Sequence, residues 1–172
     1  VSVSRYPNAD SKVLSTDYNE IGGGNAANSA SAMALLSNAS IFRDENFRIK
    51  LLTKVGDDYI GKQLKYVLQY CGVDTSLVMK GEPVSDIASE KLDDLFADVV
   101  HLHSDSRHAD VALMLANEAH ERNIPVSVDA EKDRRVKSLD ELMIVADVVF
   151  TNSTQIEDYL MRWTANLEAE HN

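Results

Sequence analysis

Ile21-Gly22-Gly23-Gly24-Asn25-Ala26-Ala27-Asn28 sets the reading of this chain, because three glycines run straight into a small-residue helical pattern. Glycine admits positive φ and lets the backbone approach a ligand with no Cβ in the way. The helix that follows turns its unpaired N–H groups and positive dipole end back toward the glycines. Asn25 and Asn28 are three apart, so both amides can lie on one face of the first helical turn. Amides donate and accept hydrogen bonds, which suits a neutral polyhydroxylated ligand such as a sugar or nucleoside. The purely structural alternative makes Asn25 an N-cap and leaves Asn28 in solvent. A dinucleotide site fits poorly, since the order is Gly-Gly-Gly-Asn rather than Gly-x-Gly-x-x-Gly after a clear first strand.

Working outward, short β-rich runs alternate with amphipathic helical patterns. Residues 48–55 read as a strand and Asp58 to Gly72 as a helix, with Ile60, Leu64, Val67, Leu68 and Cys71 on one stripe. Gly72 stands where a glycine C-cap belongs. Val73 to Val78 is a further extended segment, and Glu90 to Phe96 a short helix. The spacing then predicts a strand over Val99 to His103, a helix over Ala109 to Arg122 and a strand over Pro125 to Ala130. A helix over Leu139 to Ala146, a strand over Val148 to Thr151 and a helix over Thr154 to Trp163 complete the series. Strand–helix alternation with short links implies an α/β fold with a parallel, helix-covered sheet. No internal repeat and no low-complexity segment interrupts it.

The 172 residues suffice for one domain with a real core, and 44% hydrophobic and 26% charged residues are ordinary for a globular protein. A formal charge of −11 disfavours nucleic acid or an anionic membrane as the main partner. Cys71 is the single cysteine, which excludes an intrachain disulfide and a cysteine metal cluster. It reads as a packed thiol. No apolar run approaches membrane-spanning length and no signal-peptide pattern is present, so a reducing, cytoplasmic setting is expected.

Several further motifs stand around the glycines. Tyr6-Pro7-Asn8-Ala9-Asp10-Ser11-Lys12 precedes them; Val55-Gly56-Asp57-Asp58-Tyr59-Ile60-Gly61 and Gly72-Val73-Asp74-Thr75 follow. Val128-Asp129-Ala130-Glu131-Lys132-Asp133-Arg134 and Ala146-Asp147-Val148-Val149-Phe150-Thr151-Asn152 come after these. In this order and spacing the chain, from about Tyr6 to Asn152, resembles the ribokinase-like (PfkB) carbohydrate kinases. The Tyr-Pro-x-x-Asp-Ser segment looks most like their ketohexokinase-like branch. The resemblance implies a Rossmann-like αβα sandwich with a mostly parallel sheet, a small β lid often used in a dimer contact, and transfer of the γ-phosphoryl group of ATP, with Mg2+, to a sugar or polyol hydroxyl. A nucleoside kinase of the same fold is the nearest enzymatic alternative, and a non-catalytic ligand-binding or interaction protein on this scaffold is the other.

Carried over residue by residue, Asp10 matches an acidic residue that binds sugar hydroxyls. Gly24, Asn25 and Asn28 match the substrate-binding block, with Gly23 allowing close backbone approach. Gly56, Asp57 and Gly61 resemble a strand-to-helix turn in which Asp57 or Asp58 acts as cap. Asp105, Arg107 and His108 fall in a loop on the ligand side, where Arg107 could contact the substrate or form a surface ion pair. His101 and His103 share a strand face and could hold a metal, but no third ligand accompanies them. Glu131 and Lys132 end a strand near the phosphate-transfer cleft, or form an ordinary charged loop.

The sequence departs from the family in several places. The Gly-Ala-Gly-Asp stretch, whose aspartate serves as general base and whose amides form an anion hole, is not found in residues 153–172. The family's Asn-x-x-Glu motif, linked to magnesium and phosphate, reads Asn152-Ser153-Thr154-Gln155, with Glu157 close by. Val1 to Arg5 opens directly on an extended segment, and the lid near residues 81–88 looks cut short or missing. The expectation is therefore the amino-terminal and central portion of a kinase domain spanning residues 1–172, with joins suspected near Val84 to Asp86 and near Trp163 to Thr164, and with the catalytic base outside it.

Overall fold

The computed structural model describes residues 23–39, 47–80, 92–130 and 136–170. In chain order the elements are α1 (Asn25–Ser37), β1 (Thr53–Val55), α2 (Tyr59–Tyr70), β2 (Val78–Lys80), α3 (Leu92–Phe96), β3 (Leu102–Asp105), α4 (Ala109–Glu121), β4 (Val126–Asp129), α5 (Lys137–Val145), β5 (Val148–Phe150) and α6 (Ser153–Glu170). Strands β3, β4 and β5 form a parallel ladder in that order, and β1 pairs in parallel with β2. Each parallel pair needs a crossover, supplied by α2, α4 and α5 in turn. The α/β class expected from the alternation is the one observed.

Chain chemistry explains the element ends. Asp58 caps α2, its Oδ1 accepting the Gly61 N–H at 2.7 Å. Gly72 follows with φ +90°, the Val73 N–H reaching the Leu68 carbonyl at 3.0 Å and the Gly72 N–H reaching that of Gln69 at 2.9 Å. This is the Schellman closure, which needs a left-handed residue where Gly72 stands. Asn123, at φ 58°, closes α4 in the same way.

The main core lies on one face of the β3–β4–β5 ladder. Val126 and Val128 of β4 are fully buried against Ala112, Leu115, Ala116 and Ala119 of α4 and Leu139 and Leu142 of α5. Alanines along α4 let that helix approach the sheet closely, and each buried leucine contributes about 1.5–3 kcal/mol. A smaller cluster joins Ala30 and Ala34 of α1 to Leu51, Leu68 and Val73 beside the β1–β2 ladder.

Four details differ from the sequence expectation. β3 starts at Leu102 and runs to Asp105, because residues 99–101 lie outside the ladder and Val100 is 70% exposed. Asp105 is thus a strand residue rather than a loop residue. The extended run after Gly72 is broken by a turn at Ser76 and Leu77, with the Asp74 carboxylate accepting the Ser76 N–H at 2.8 Å, so β2 forms only from Val78. On α2, Ile60 and Val67 are 53% and 48% exposed. Gly61 and Leu68, seven residues apart, centre the buried face instead, because Gly61 packs against the Gly56 carbonyl. Finally, α6 runs as one helix through Trp163 and Thr164, the Thr164 hydroxyl lying 3.0 Å from both the Leu160 and Met161 carbonyl oxygens. Val1–Arg5, the Tyr6–Lys12 motif, Glu131, Lys132 and the lid segment near 81–88 lie outside the described residues.

Candidate functional site

Ligands of parallel α/β sheets bind beyond the carboxyl ends of the strands. That edge is where the described polar residues gather. Between β1 and β3 the walls are apolar side chains such as Leu51, Leu52, Val99 and Leu102, whereas Asp105, Arg107, Asp129, Thr151 and Asn152 stand at or just beyond the strand ends. The site belongs at that edge and not in the apolar gap.

Alternation along the strands makes it. Leu102 and Ser104 of β3 and Val126 and Val128 of β4 share one face, and the register pairs His103 with Ser127 and Asp105 with Asp129 on the other. The first face is the packed one. The second carries His101, His103, Asp105, Ser127 and Asp129, with Phe150 of β5 beside Asp129. The Ser127 hydroxyl, buried between the strands, lies 2.8 Å from His101 Nε2 and 2.9 Å from His103 Nδ1. One hydroxyl can donate once, so one imidazole accepts from Ser127 and the other donates to it. His103 also meets Phe150 edge-on, with ring centroids 6.2 Å apart. Burial holds the His103 pKa below its ordinary 6.5, with Asp129 and Asp105 pulling the other way. Its ring is neutral at pH 7. Among the described residues no three His, Cys, Asp or Glu side chains converge in a group that could hold a metal.

The glycine block arrives at this edge from α1. Gly24, at φ +101° and ψ 133°, is the N-cap residue, and its carbonyl accepts the Asn28 N–H at 2.9 Å. Asn25 is therefore the first helical residue, not the cap. Its Nδ2 donates to Asp129 Oδ2 at 3.0 Å, a bond between residues 104 apart in sequence that fixes the start of α1 over the end of β4. Asn28 is exposed, and a Cβ added at Gly23 would meet nothing within 4 Å. Arg107 is exposed in the short 3-10 turn Ser106–His108, whose start is capped by Asp105 Oδ1 accepting the Arg107 N–H at 2.9 Å. The site residues brought together are thus Gly24, Asn25 and Asp129, with His103 and Asp105 beside them. Asp10, Glu131 and Lys132 lie outside the described residues.

The start of α6 is built differently from a metal site. Asn152 caps it, Oδ1 accepting the Gln155 N–H at 2.9 Å, and Gln155 is only 3% exposed. Glu157 is exposed and lies about 200° round the helix from Gln155, at 100° per residue, so it cannot stand in for a carboxylate there. The described residues at this position do not fit a magnesium ion.

Sequence reading passed over Asp129 and the His101–Ser127–His103 cluster as parts of the site. The signal was present in His101-Leu102-His103-Ser104-Asp105 and Ser127-Val128-Asp129, where polar residues alternate on strands that ought to be apolar on both faces.

Comparison with known proteins agrees with this architecture. Residues 2–86 match the pfkB family carbohydrate kinases. The ATP-dependent ribose-1-phosphate kinase of Halopiger xanaduensis is 26% identical over 179 residues, an alignment covering 90% of this chain and 57% of that protein. The chain thus spans little more than half the length of this curated relative. Among solved structures, the 2-dehydro-3-deoxygluconokinase of Thermotoga maritima superposes with a TM-score of 0.60 at 17% identity, over 78% of this chain and 52% of its own. A PfkB protein from Polaromonas sp. gives 0.62 at 15% identity, over 87% and 60%. These structures share the fold, and none of the matches singles out the ketohexokinase-like branch. Motif order, the match over residues 2–86 and the shared fold together make this chain similar to the pfkB family carbohydrate kinases.

Proposed function

We propose that the complete protein transfers the γ-phosphoryl group of ATP to a hydroxyl of a sugar or related polyol. The observation that carries this reading is the Asn25–Asp129 bond, which brings the Gly24–Asn25 turn to the carboxyl edge of the sheet. There the turn presents amide and carboxylate groups suited to hydroxyls. In this reading Asp10, Asn25 and Asn28 orient the sugar, with Gly23 and Gly24 permitting close approach. Arg107 contacts the substrate as well, Glu131 and Lys132 serve the phosphate-transfer cleft, and a base outside residues 153–172 activates the hydroxyl. ATP supplies the phosphoryl group, and positioning with charge stabilisation accounts for most of such catalysis. Magnesium belongs to that chemistry, but Asn152 and Gln155 do not supply it with a carboxylate. A homodimer through the lid and a cytoplasmic location complete the proposal.

The test is ADP release by the complete protein incubated with ATP and a panel of pentoses, hexoses and nucleosides. Sugar-dependent ADP release is expected. Nucleoside-dependent release would move the substrate class. Sugar binding without turnover would sink the kinase reading and leave a non-catalytic binding protein, the alternative that Gln155 favours.

A further inference from the structure

We propose that His101, Ser127 and His103 form a hydrogen-bond relay in which the exposed imidazole sets what the inner one offers to a ligand. A protonated His101 makes His103 Nε2 a donor, and a neutral His101 leaves it able to accept. The placing of His103 against a sugar rests on the reading above; the relay itself does not.

His103 is aligned with Ser127, and the next pair on the same face, Asp105 with Asp129, makes the carboxyl edge. His101, His103 and Ser127 line one cavity with Gly24 and Phe150. His101 is exposed, whereas His103 is half-buried and held edge-on by Phe150. Between them the buried Ser127 hydroxyl lies 2.8 Å from His101 Nε2 and 2.9 Å from His103 Nδ1. Among the described residues, neither His101 Nδ1 nor His103 Nε2 has a hydrogen-bond partner.

The single proton on Ser127 Oγ couples the two rings. When Ser127 donates to His103 Nδ1, a neutral His103 carries its proton on Nε2 and donates there, while His101 Nε2–H donates to Ser127. In the reverse arrangement His103 Nδ1–H donates to Ser127, Ser127 donates to His101 Nε2, and His103 Nε2 is an acceptor. A doubly protonated His101 offers only N–H groups, so it permits the first arrangement alone. Burial, with His101 beside it, keeps charge off His103 against the pull of Asp129 and Asp105. The exposed ring therefore holds a proton taken up by the pair. The α1 helix, which contacts β3, adds no ionisable side chain. The relay also moves protons. One taken up at His103 Nε2 lets the Nδ1 proton pass to Ser127 Oγ as the Ser127 proton passes to His101 Nε2.

Substitution at the exposed end tests the relay without touching its buried members. His101→Glu presents only acceptors once ionised, so Ser127 must donate to it and His103 is forced into the Nδ1–H form. His101→Lys presents only donors, so Ser127 must donate to His103 and the Nε2–H form results. The readout is the ring-nitrogen NMR spectrum of the complete protein at about pH 8, above the ordinary histidine range, where the two tautomers and the imidazolium give distinct shifts. The His103 ring is assigned by its loss in His103→Gln. Opposite tautomers in the two variants are expected, and the contrast should vanish when Ser127→Ala is added to each. In the wild type, protonation of His101 should move His103 to the Nε2–H form. The same tautomer in H101E and H101K overturns the relay, and a contrast that survives Ser127→Ala overturns transmission through the hydroxyl. Excess D-ribose or D-fructose should shift the His103 Nε2 resonance. Sugar that binds without shifting it removes His103 from the ligand site. Binding of neither sugar, with the tautomer contrast intact, counts against the sugar-site reading and leaves the relay supported.

Discussion

Two glycines of the kinase motifs have opposite physical roles, and substitution separates them. A Cβ on Gly61 would sit 1.9 Å from the Gly56 carbonyl oxygen, a contact that only backbone movement can relieve. Gly61→Ala should therefore destabilise the chain by about 1–3 kcal/mol, the ordinary cost of overpacking, read from urea unfolding midpoints. At Gly23 an added methyl meets nothing, so Gly23→Ala should stay within about 0.5 kcal/mol of wild type. If Gly23 serves ligand approach, the same variant should still lose sugar affinity. His103 makes a prediction about pH. Its folded pKa is depressed below 6.5, chiefly by burial, so the fold favours the neutral ring. The stability it supports is complete above pH 6.5 and is lost as pH falls below that value through the lower folded pKa. The urea midpoint of the wild type should drop between pH 7.5 and 5.5 by more than that of His103→Gln, which does not titrate there. Equal drops would show that the cluster around Ser127 is not what titrates.

Among the elements, α6 departs most clearly from the family motif. Its first turn offers an amide where the motif calls for a carboxylate, and the residue is buried. Gln155→Glu should cost several kcal/mol in EDTA, because a carboxylate is being buried without a partner, and should recover part of that loss with magnesium. The wild-type thermal midpoint should not respond to magnesium at all. A wild-type midpoint that rises with magnesium would mean that acids elsewhere hold the ion. The elements also show what the sequence made legible. α2 was readable to its ends because Asp58 and Gly72 are chemical punctuation, and α4 and β4 were readable because their apolar spacing matches their periods. β3 was misplaced because Val99 and Val100 have strand-forming side chains while the ladder begins at Leu102, and ladder membership depends on a neighbour that local sequence does not name. Asn25 was legible as a candidate site residue from the glycines before it. Its pairing with Asp129 was not, since nothing in a single sequence couples residues 104 apart.

At the scale of the molecule, the two cores differ in size and in what holds them. The larger spans α4, β4 and α5, with Val126 and Val128 of β4 fully buried and the Asp147 carboxylate accepting the Val126 N–H at 2.8 Å to tie the start of β5 to the start of β4. The smaller joins α1 to Leu51, Leu68 and Val73, and its ladder is three residues long on each strand. Proteins open in units whose free energies follow such differences in buried apolar contact. Amide exchange should therefore be slowest at residues 126–129 and along the inner face of α4, tracking global unfolding. Amides at residues 53–55 and 78–80 should exchange faster, through opening of the smaller unit. Leu142→Ala, which removes a fully buried side chain from the larger core, should cost about 2–5 kcal/mol and accelerate exchange everywhere. Leu51→Ala should accelerate exchange in β1, β2 and α1 while leaving β4 nearly unchanged. The site adds a specific test of this division. Asn25 belongs to the helix of the smaller core and Asp129 to the strand of the larger, so their hydrogen bond crosses between the two units. A sugar gripped at that bond should slow exchange in α1 and β1 toward the rate of β4, because opening of the smaller unit would then require ligand release. Equal slowing in both units would mean that the ligand binds within the larger core alone.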